Sequence, residues 1–394
     1  MLFSISKTEW LSNLRSDFFA GLVTAIALIP EVIGFAIIAG INPINALYAA
    51  IIMSFVTSFI GGRPAMTSAA AGSMALVLVT IIKYYGLEYM LAATVLTGFI
   101  QLFLGYLGIH KVVKYVSKPI MMGFVNSLAI LILLAQLQQL PHQNIATYIM
   151  VITTIILMYI LPKITKVIPP ALIVIVLMTA VTALLPIQLQ TVGDLGNLST
   201  SFPHPGLPNI PWSFHSLKII FPVAVALAIV GLTESLLTLP LIDQLTQTKG
   251  NSQREAKAQG LANIVTGFLG GQAGCAMIGQ AVINVKSGGR QRFSTLTASV
   301  TLLVMIVFLK GLMAQIPTGA LIGIMITVAF TTFDWASLKL IKMQKLTISE
   351  VMVMLVTIII VVITHNLAIG IVFGIILSWF ISLISKLLFQ KLNN

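Results

Sequence analysis

The chain has 394 residues, with 22 Lys and Arg against 10 Asp and Glu, a formal net charge of +12. Hydrophobic residues make up 58% of it and charged residues 8%, and the mean hydropathy is +1.04. A soluble domain carries about 25% charged residues, so the composition excludes one and describes a polytopic membrane protein. The positive surplus then reads as cytoplasmic loops, and no nucleic-acid partner is expected. A single cysteine, Cys275, excludes an intrachain disulfide, and one Cys with five His gives no support to a metal site or cofactor.

Along the chain, the opening "MLFSISKTEW" lacks the apolar core of a cleavable signal, so the first span is expected to be retained. A crossing takes about 20 apolar residues. Hydropathy predicts spans at 17–40, 43–60, 91–108, 119–140, 145–161, 169–187, 217–241, 294–309, 317–333, 347–364 and 367–387. Two short stretches rich in Ala, Gly and Ser, 66–82 and 273–285, and a weaker helix near 256–269 bring the total to 14 segments. "KLIKMQKL" (339–346) reads as an amphipathic helix along the inner surface. An even number of segments puts both termini on one side. With the amino terminus inside, nineteen Lys and Arg fall on the cytoplasmic side, Lys111, Lys114, Lys166, Lys386 and Lys391 among them, and only Lys83, Lys218 and Lys310 fall outside. This bias predicts a cell-membrane protein with both termini cytoplasmic. It also puts the Pro-rich stretch 186–212 outside, between two halves.

Those halves resemble each other. "FIGGRPAMTSAAAGSM" (59–74) and "FLGGQAGCAMIGQAVI" (268–283) share an F-[IL]-G-G opening and a small-residue run. Gly61 follows Glu31 by 30 residues, and Gly270 follows Glu234 by 36. Seven spans per half is an odd number, so the second half is expected to be inverted, the arrangement of secondary transporters with a midplane site. Each short segment is predicted to enter the membrane extended and become helical halfway, near Ala69–Ser73 and near Ala273–Ile278. Two helix starts, each bearing free N–H groups and roughly half a positive charge, would then face each other and bind an anion. Ala and Gly there also serve close helix packing.

The two glutamates belong to this picture. Glu31 stands roughly 21 Å above a helix starting at Asp17, and Glu234 roughly 14 Å from Asp243, so both lie near mid-membrane. A carboxylate there costs several kcal/mol unless it is paired, wet or neutralised, and such residues are functional by default. At least one is expected to take up a proton as the anion binds, which makes transport proton-coupled symport. Sodium held by Glu234 with Thr238, or a structural role for a protonated glutamate, are the competing readings. Phe35, one turn after Glu31, is expected to wall the site; Asn126, Gln136 and Gln138 read as interhelical bonding, and Asp243 and Asp334 as solvated boundary charges.

Several stretches make the chain resemble the SulP family of anion transporters. They are "DFFAGLVTAIALIPEVIGFAIIAGINPINALYAA", "VSKPIMMGFVNSLAILI", "KVIPPALIVIVLMT", "VGDLGNLSTSFPHPGLP", "TQTKGNSQREAKAQGLANIVTGFLGG" and "INVKSGGRQR". The resemblance implies an all-α fold of 14 segments as a seven-plus-seven inverted repeat, with segments 3 and 10 as half-helices. It divides the chain into core (1–110 and 217–310) and gate (111–187 and 311–394), with the outer loop at 188–216. Substrate would sit between the half-helices, at Ala70, Ala71, Gly72 and Ser73 and at Gly274, Cys275, Ala276, Met277 and Gln280, lined by Glu31, Phe35 and Glu234. The core would move past the gate as an elevator, and a homodimer is expected.

Three departures from the family pattern stand out. Many relatives have Gly-Pro-Thr-Gly-Ala where this chain has Ala69-Ala70-Ala71-Gly72-Ser73, and many carry an Arg where Gln280 stands. Most continue into a cytoplasmic STAS domain, whereas this chain ends seven residues after its last expected span, so a member without that domain, or a shortened one, is expected. The substrate is left open among sulfate, bicarbonate and dicarboxylates. Sodium-coupled bicarbonate uptake, a nucleobase–proton symporter of the same fold and an uncoupled anion channel are the alternatives. An enzyme is not expected, since HExxH, GxSxG and a nucleotide-binding loop are all missing.

Overall fold

A chain this apolar satisfies its backbone in lipid through helices whose N–H and C=O groups bond within the segment. The computed structural model describes residues 7–109, 117–141, 143–165, 169–184, 189–195 and 205–392. The first half runs α1 (Thr8–Leu11), α2 (Leu14–Ala39), α3 (Pro43–Ile60), β1 (Ser68–Ala69), α4 (Gly72–Tyr85), α5 (Leu87–Leu107), α6 (Lys118–Leu137), α7 (Ile145–Ile164), α8 (Pro170–Leu184) and α9 (Val192–Leu195). The second runs α10 (Phe214–Thr246), α11 (Ser252–Phe268), β2 (Cys275–Ala276), α12 (Ile278–Lys286), α13 (Arg292–Ala314), α14 (Thr318–Thr332), α15 (Trp335–Lys342), α16 (Ile348–Thr364) and α17 (Leu367–Leu392). Among the described residues, eight helical stretches are long and apolar enough to cross a membrane: α2, α3, α5, α6, α7, α10, α13 and the run Thr318–Lys342. α4, α8, α16 and the stretch Leu367–Ile381 of α17 are shorter apolar helical stretches.

Local chemistry sets the ends. Asn42 accepts from Ile44 N at 3.1 Å with Pro43 at the first turn of α3, and Asn144 accepts from Thr147 N at 2.8 Å to start α7. Thr347 and Glu350 form a reciprocal capping box on α16. Inside α2, Pro30 supplies no N–H to the Ile26 carbonyl, which loosens the helix one residue before Glu31.

Several expected boundaries move. Ser213 caps α10 by accepting from Ser216 N, so that helix spans 33 residues rather than 217–241. α13 continues to Ala314, past the expected division at 310. The surface helix expected over 339–346 is instead Trp335–Lys342, because the chain turns at Gln344, where φ is +52°. Lys111, Lys114 and Lys166, the divisions at 110/111 and 187/188, and residues 196–204 of the expected outer loop lie outside the described residues.

The helices pack in two groups. α2 to α5 pack with α10 to α13, most extensively α5 on α11 and α2 on α13; α6 to α8 pack with α14, α16 and α17. α2, α4 and α10 also touch the second group. Outward-facing Phe99, Phe103, Ile152, Phe308 and Trp379 are exposed, an apolar surface suited to lipid.

Candidate functional site

The small-residue runs "TSAAAGS" and "GCAMIG" leave their helices unstarted until mid-chain. Their backbones pair antiparallel instead, Ser68 opposite Ala276 and Ala69 opposite Cys275, and Met277 N adds a rung to Thr67 O at 3.0 Å. A Cβ on Gly274 would lie 2.5 Å from the Ala69 carbonyl oxygen, so this crossing requires glycine.

α11 braces both strands with a polar stripe. Glu255, Gln259 and Asn263 recur every four residues on one face, and all three are buried. Glu255 accepts from Gly62 N at 2.7 Å, and Gln259 donates to Ser68 Oγ at 2.7 Å. Asn263 grips Gly274 from both sides, donating to its carbonyl at 3.0 Å and accepting from its N–H at 2.8 Å. The Glu255 and Asn263 bonds satisfy backbone groups of the segments that lead into the short strand pair.

From this pair the chain becomes helical at Gly72 and at Ile278, so two helices start inside the protein. Neither start is capped by a side chain: Ala71 and Met277 have nothing to offer, and the first N–H groups of each helix keep no intrahelical partner. Both starts line a cavity of about 470 Å³, which also exposes Glu31, Phe35 and Glu234. Its far wall comes from the other helix group, Phe124, Val125, Leu128 and Ile132 of α6 with Val328, Thr331 and Thr332 of α14. Among the described residues, no Lys, Arg or His lines it.

The glutamates are held differently, each by the other half's short helix. Ser73 of α4 donates its hydroxyl to Glu234 Oε2 on α10, and Cys275 Sγ lies 3.9 Å from the same hydroxyl. Gln280 of α12 faces Glu31 of α2, yet neither its Nε2 nor its Oε1 is in a hydrogen bond, although the residue is fully buried. Glu31 is partly exposed, into the cavity. The ring of Phe35 covers the α4 start: a Cβ on Gly72 would come within 2.5 Å of it.

Of the residues expected from sequence, Glu31, Phe35, Ala71, Gly72, Ser73, Glu234 and Met277 border the cavity together. Ala70, Gly274, Cys275 and Ala276 are buried behind it in the strand pair, and Ala276 N donates to Ser235 Oγ at 3.0 Å. Thr238 donates to the backbone carbonyl of Glu234 at 2.7 Å, which turns its hydroxyl along its own helix and away from the carboxylate. Asn126 bonds Ser337 Oγ at 3.0 Å and Asp334 N at 2.7 Å, and buried Gln136 keeps its Nε2 without a hydrogen bond. Sequence reading missed the α6 and α14 wall and the α11 stripe. The four-residue recurrence of Glu255, Gln259 and Asn263 was a visible signal for the stripe; plain apolar positions on α6 and α14 carried none for the wall.

The sulfate permease family model matches residues 14–143 and 137–357. YbaR of Bacillus subtilis is 47% identical over 383 residues, covering 97% of this chain and 80% of that protein. The bicarbonate transporter BicA of Picosynechococcus is 29% identical over 360 residues, covering 83% of this chain and 63% of that one. In three dimensions, the transmembrane domain of a cyanobacterial BicA superposes with a TM-score of 0.80 at 25% identity, over 93% of this chain and 98% of that domain. Murine Slc26a9 in its inward-facing state shares the fold, with a TM-score of 0.81 at 18% identity over 96% of this chain and 69% of that one. A matched model spanning most of the helices, a relative at nearly half identity and a shared helical architecture lead to one conclusion: the chain is a multi-pass membrane protein of the sulfate permease family, a family of anion transporters and not of enzymes.

Proposed function

We propose that this protein is a proton-coupled secondary transporter that carries a small oxyanion, of the sulfate or bicarbonate class, in the cavity between the starts of α4 and α12. The observation that carries the reading is the charge at that cavity. Two helix starts contribute about +0.5 each, two carboxylates contribute a full negative charge each when ionised, and no basic side chain among the described residues lines the space. With both glutamates ionised the site is net negative and repels an anion. One proton brings it near neutral, and the free N–H groups then attract the anion. Binding of anion and proton is therefore linked.

Glu31 is the residue we assign to proton exchange. It borders the cavity, is partly exposed there and faces the Gln280 amide, whereas Glu234 is buried and holds the Ser73 hydroxyl. The lining from two helix groups supports elevator movement, in which α2 to α5 with α10 to α13 slide past α6 to α8 with α14, α16 and α17. The twofold recurrence of long helix, second helix, short strand and half-helix supports the inverted repeat. The positive-inside bias supports cytoplasmic termini. A homodimer belongs to the same reading.

The test is uptake of labelled sulfate and bicarbonate into liposomes containing the purified protein, with an internal pH dye. An inward proton gradient should drive uptake and acidify the lumen, and Glu31→Gln should abolish the proton flux. Proton flux untouched in both Glu31→Gln and Glu234→Gln would end the proposal, and uptake driven by a sodium gradient alone would replace proton coupling with sodium coupling.

A further inference from the structure

A second cavity, of about 1060 Å³, opens on the face that the charge bias assigns to the cytoplasm. Its walls come from α1, the α3–β1 loop, the α10–α11 connection, the start of α11 and the turn before α13, and it shares no lining residue with the anion cavity. Six cations converge on it: Arg63, Lys249, Arg254, Lys257, Arg290 and Arg292. Among the described residues, the one acidic residue in its lining is Glu9.

Carboxylates offset part of this charge: Glu9 and Asp243, with Asp17 and Glu255 behind the lining, set four anions against the six cations and leave a positive surplus. Arg63 pairs with Asp243 at 2.9 Å and Arg292 with Glu9 at 2.7 Å. Arg254 and Arg290 are oriented by neutral carbonyls, Arg254 Nε to Ile60 O at 3.0 Å and Arg290 Nη1 to Val285 O at 2.6 Å, while Glu9 and Glu255 act on Arg254 and Asp17 on Arg290 through space. Lys249 is exposed, and the Lys257 ammonium sits 4.1 Å over the Tyr106 ring. Burial pushes the Arg63 guanidinium below its ordinary range; Asp243 and Glu255 pull it back up, and the like charges of Arg290 and Arg292 add to the lowering. Crowding of buried like charges is unfavourable when the space between them is vacant and favourable when an anion fills it.

We infer that this cleft is a second anion site, separate from the transport path, that takes a phosphate-bearing polyanion. Guanidinium groups fixed in place suit the oxygens of a phosphate, and the α11 start, where Asn251 caps Arg254 N, borders the cleft at Gln253. The volume is at the upper end for drug-sized ligands, so it holds a phosphate together with the group that carries it. That carrier is either a soluble di- or triphosphate or an anionic lipid headgroup. Because the walls belong to the helix group that carries both half-helices, occupancy clamps that frame without entering the anion cavity.

The experiment is the unfolding midpoint of the purified full chain with pyrophosphate, with ATP, and with sodium chloride at the same ionic strength. A parallel arm uses nanodiscs of phosphatidylcholine with and without phosphatidylglycerol. The phosphates should raise the midpoint where chloride does not, and Lys249→Gln/Lys257→Gln should need roughly tenfold more ligand for the same shift. Lys249→Gln alone, at an exposed position that does not threaten folding, should show an intermediate response. A soluble ligand is indicated if the phosphates act in plain phosphatidylcholine discs, and a headgroup if only phosphatidylglycerol stabilises. If neither phosphate nor phosphatidylglycerol exceeds chloride, or the double variant responds like the parent, the inference is overturned. Proton-driven uptake by the double variant without added phosphate should be unchanged, so this test stands apart from the transport assay.

Discussion

The starts of α4 and α12 face the same cavity from opposite halves, and their surroundings differ in one respect. At α4, the second residue, Ser73, is engaged with Glu234 of the other half. At α12, the third residue, Gln280, faces Glu31 of the other half with both ends of its amide unbonded. One end of the site is a closed hydrogen-bonded unit and the other is incomplete. A buried amide short of good partners costs about 1–3 kcal/mol, a cost that a cargo or a proton arriving beside it would relieve. The difference teaches that a repeat can keep its backbone scaffold, with both strands and both bare helix starts, while its side chains divide the work.

That contrast can be broken in graded ways. The largest effect is expected from Gly274→Val, which drives a branched side chain into the Ala69 carbonyl and parts the strands that aim both helices. Uptake should vanish, and unfolding by denaturant should reveal a loss of about 1–3 kcal/mol. Next comes Glu31→Gln: uptake should persist on an imposed anion gradient but become level between about pH 6 and about pH 8, where the parent rises as pH falls. An unaltered pH profile would move the proton to Glu234. Ser73→Ala, third, removes the hydroxyl held by Glu234 and should cost about 1–3 kcal/mol in stability; it should slow uptake yet preserve its pH dependence. The smallest effect on folding is expected from Gln280→Leu. Calorimetry should find stability equal or higher by about 1 kcal/mol, since an unpaired amide is removed, while apparent affinity for the anion falls. Equal stability with equal affinity would reduce Gln280 to packing.

Legibility from sequence varied by residue. Glu31 and Glu234 were conspicuous because charge is rare in apolar helices, and the F-[IL]-G-G runs flagged the two short segments because helix formers give way to small residues there. The helix starts at Gly72 and Ile278 fall within the stretches expected for them. The weak helix near 256–269 became Ser252–Phe268, and its weakness on a hydropathy scale had a cause: its buried face is polar, so scales that equate burial with apolarity undervalue it. Thr238 was matched with Glu234 by helical spacing, but a threonine in a helix readily turns its hydroxyl back to the carbonyl four residues earlier, and it does so here.

Sequence alone determined that the chain lives in a membrane, and where two of its segments give way to small residues, because the cost of unsatisfied or charged groups in hydrocarbon restricts which residues can stand there. Tertiary structure alone decided which half each glutamate answers to, which apolar positions of α6 and α14 close the cavity, and that six basic residues from distant parts of the chain meet in one cleft. Those are contacts between segments some 160 to 280 residues apart, such as Ser73 with Glu234 and Arg292 with Glu9. Hydropathy and spacing act within a segment, and only packing chooses which faces meet across segments.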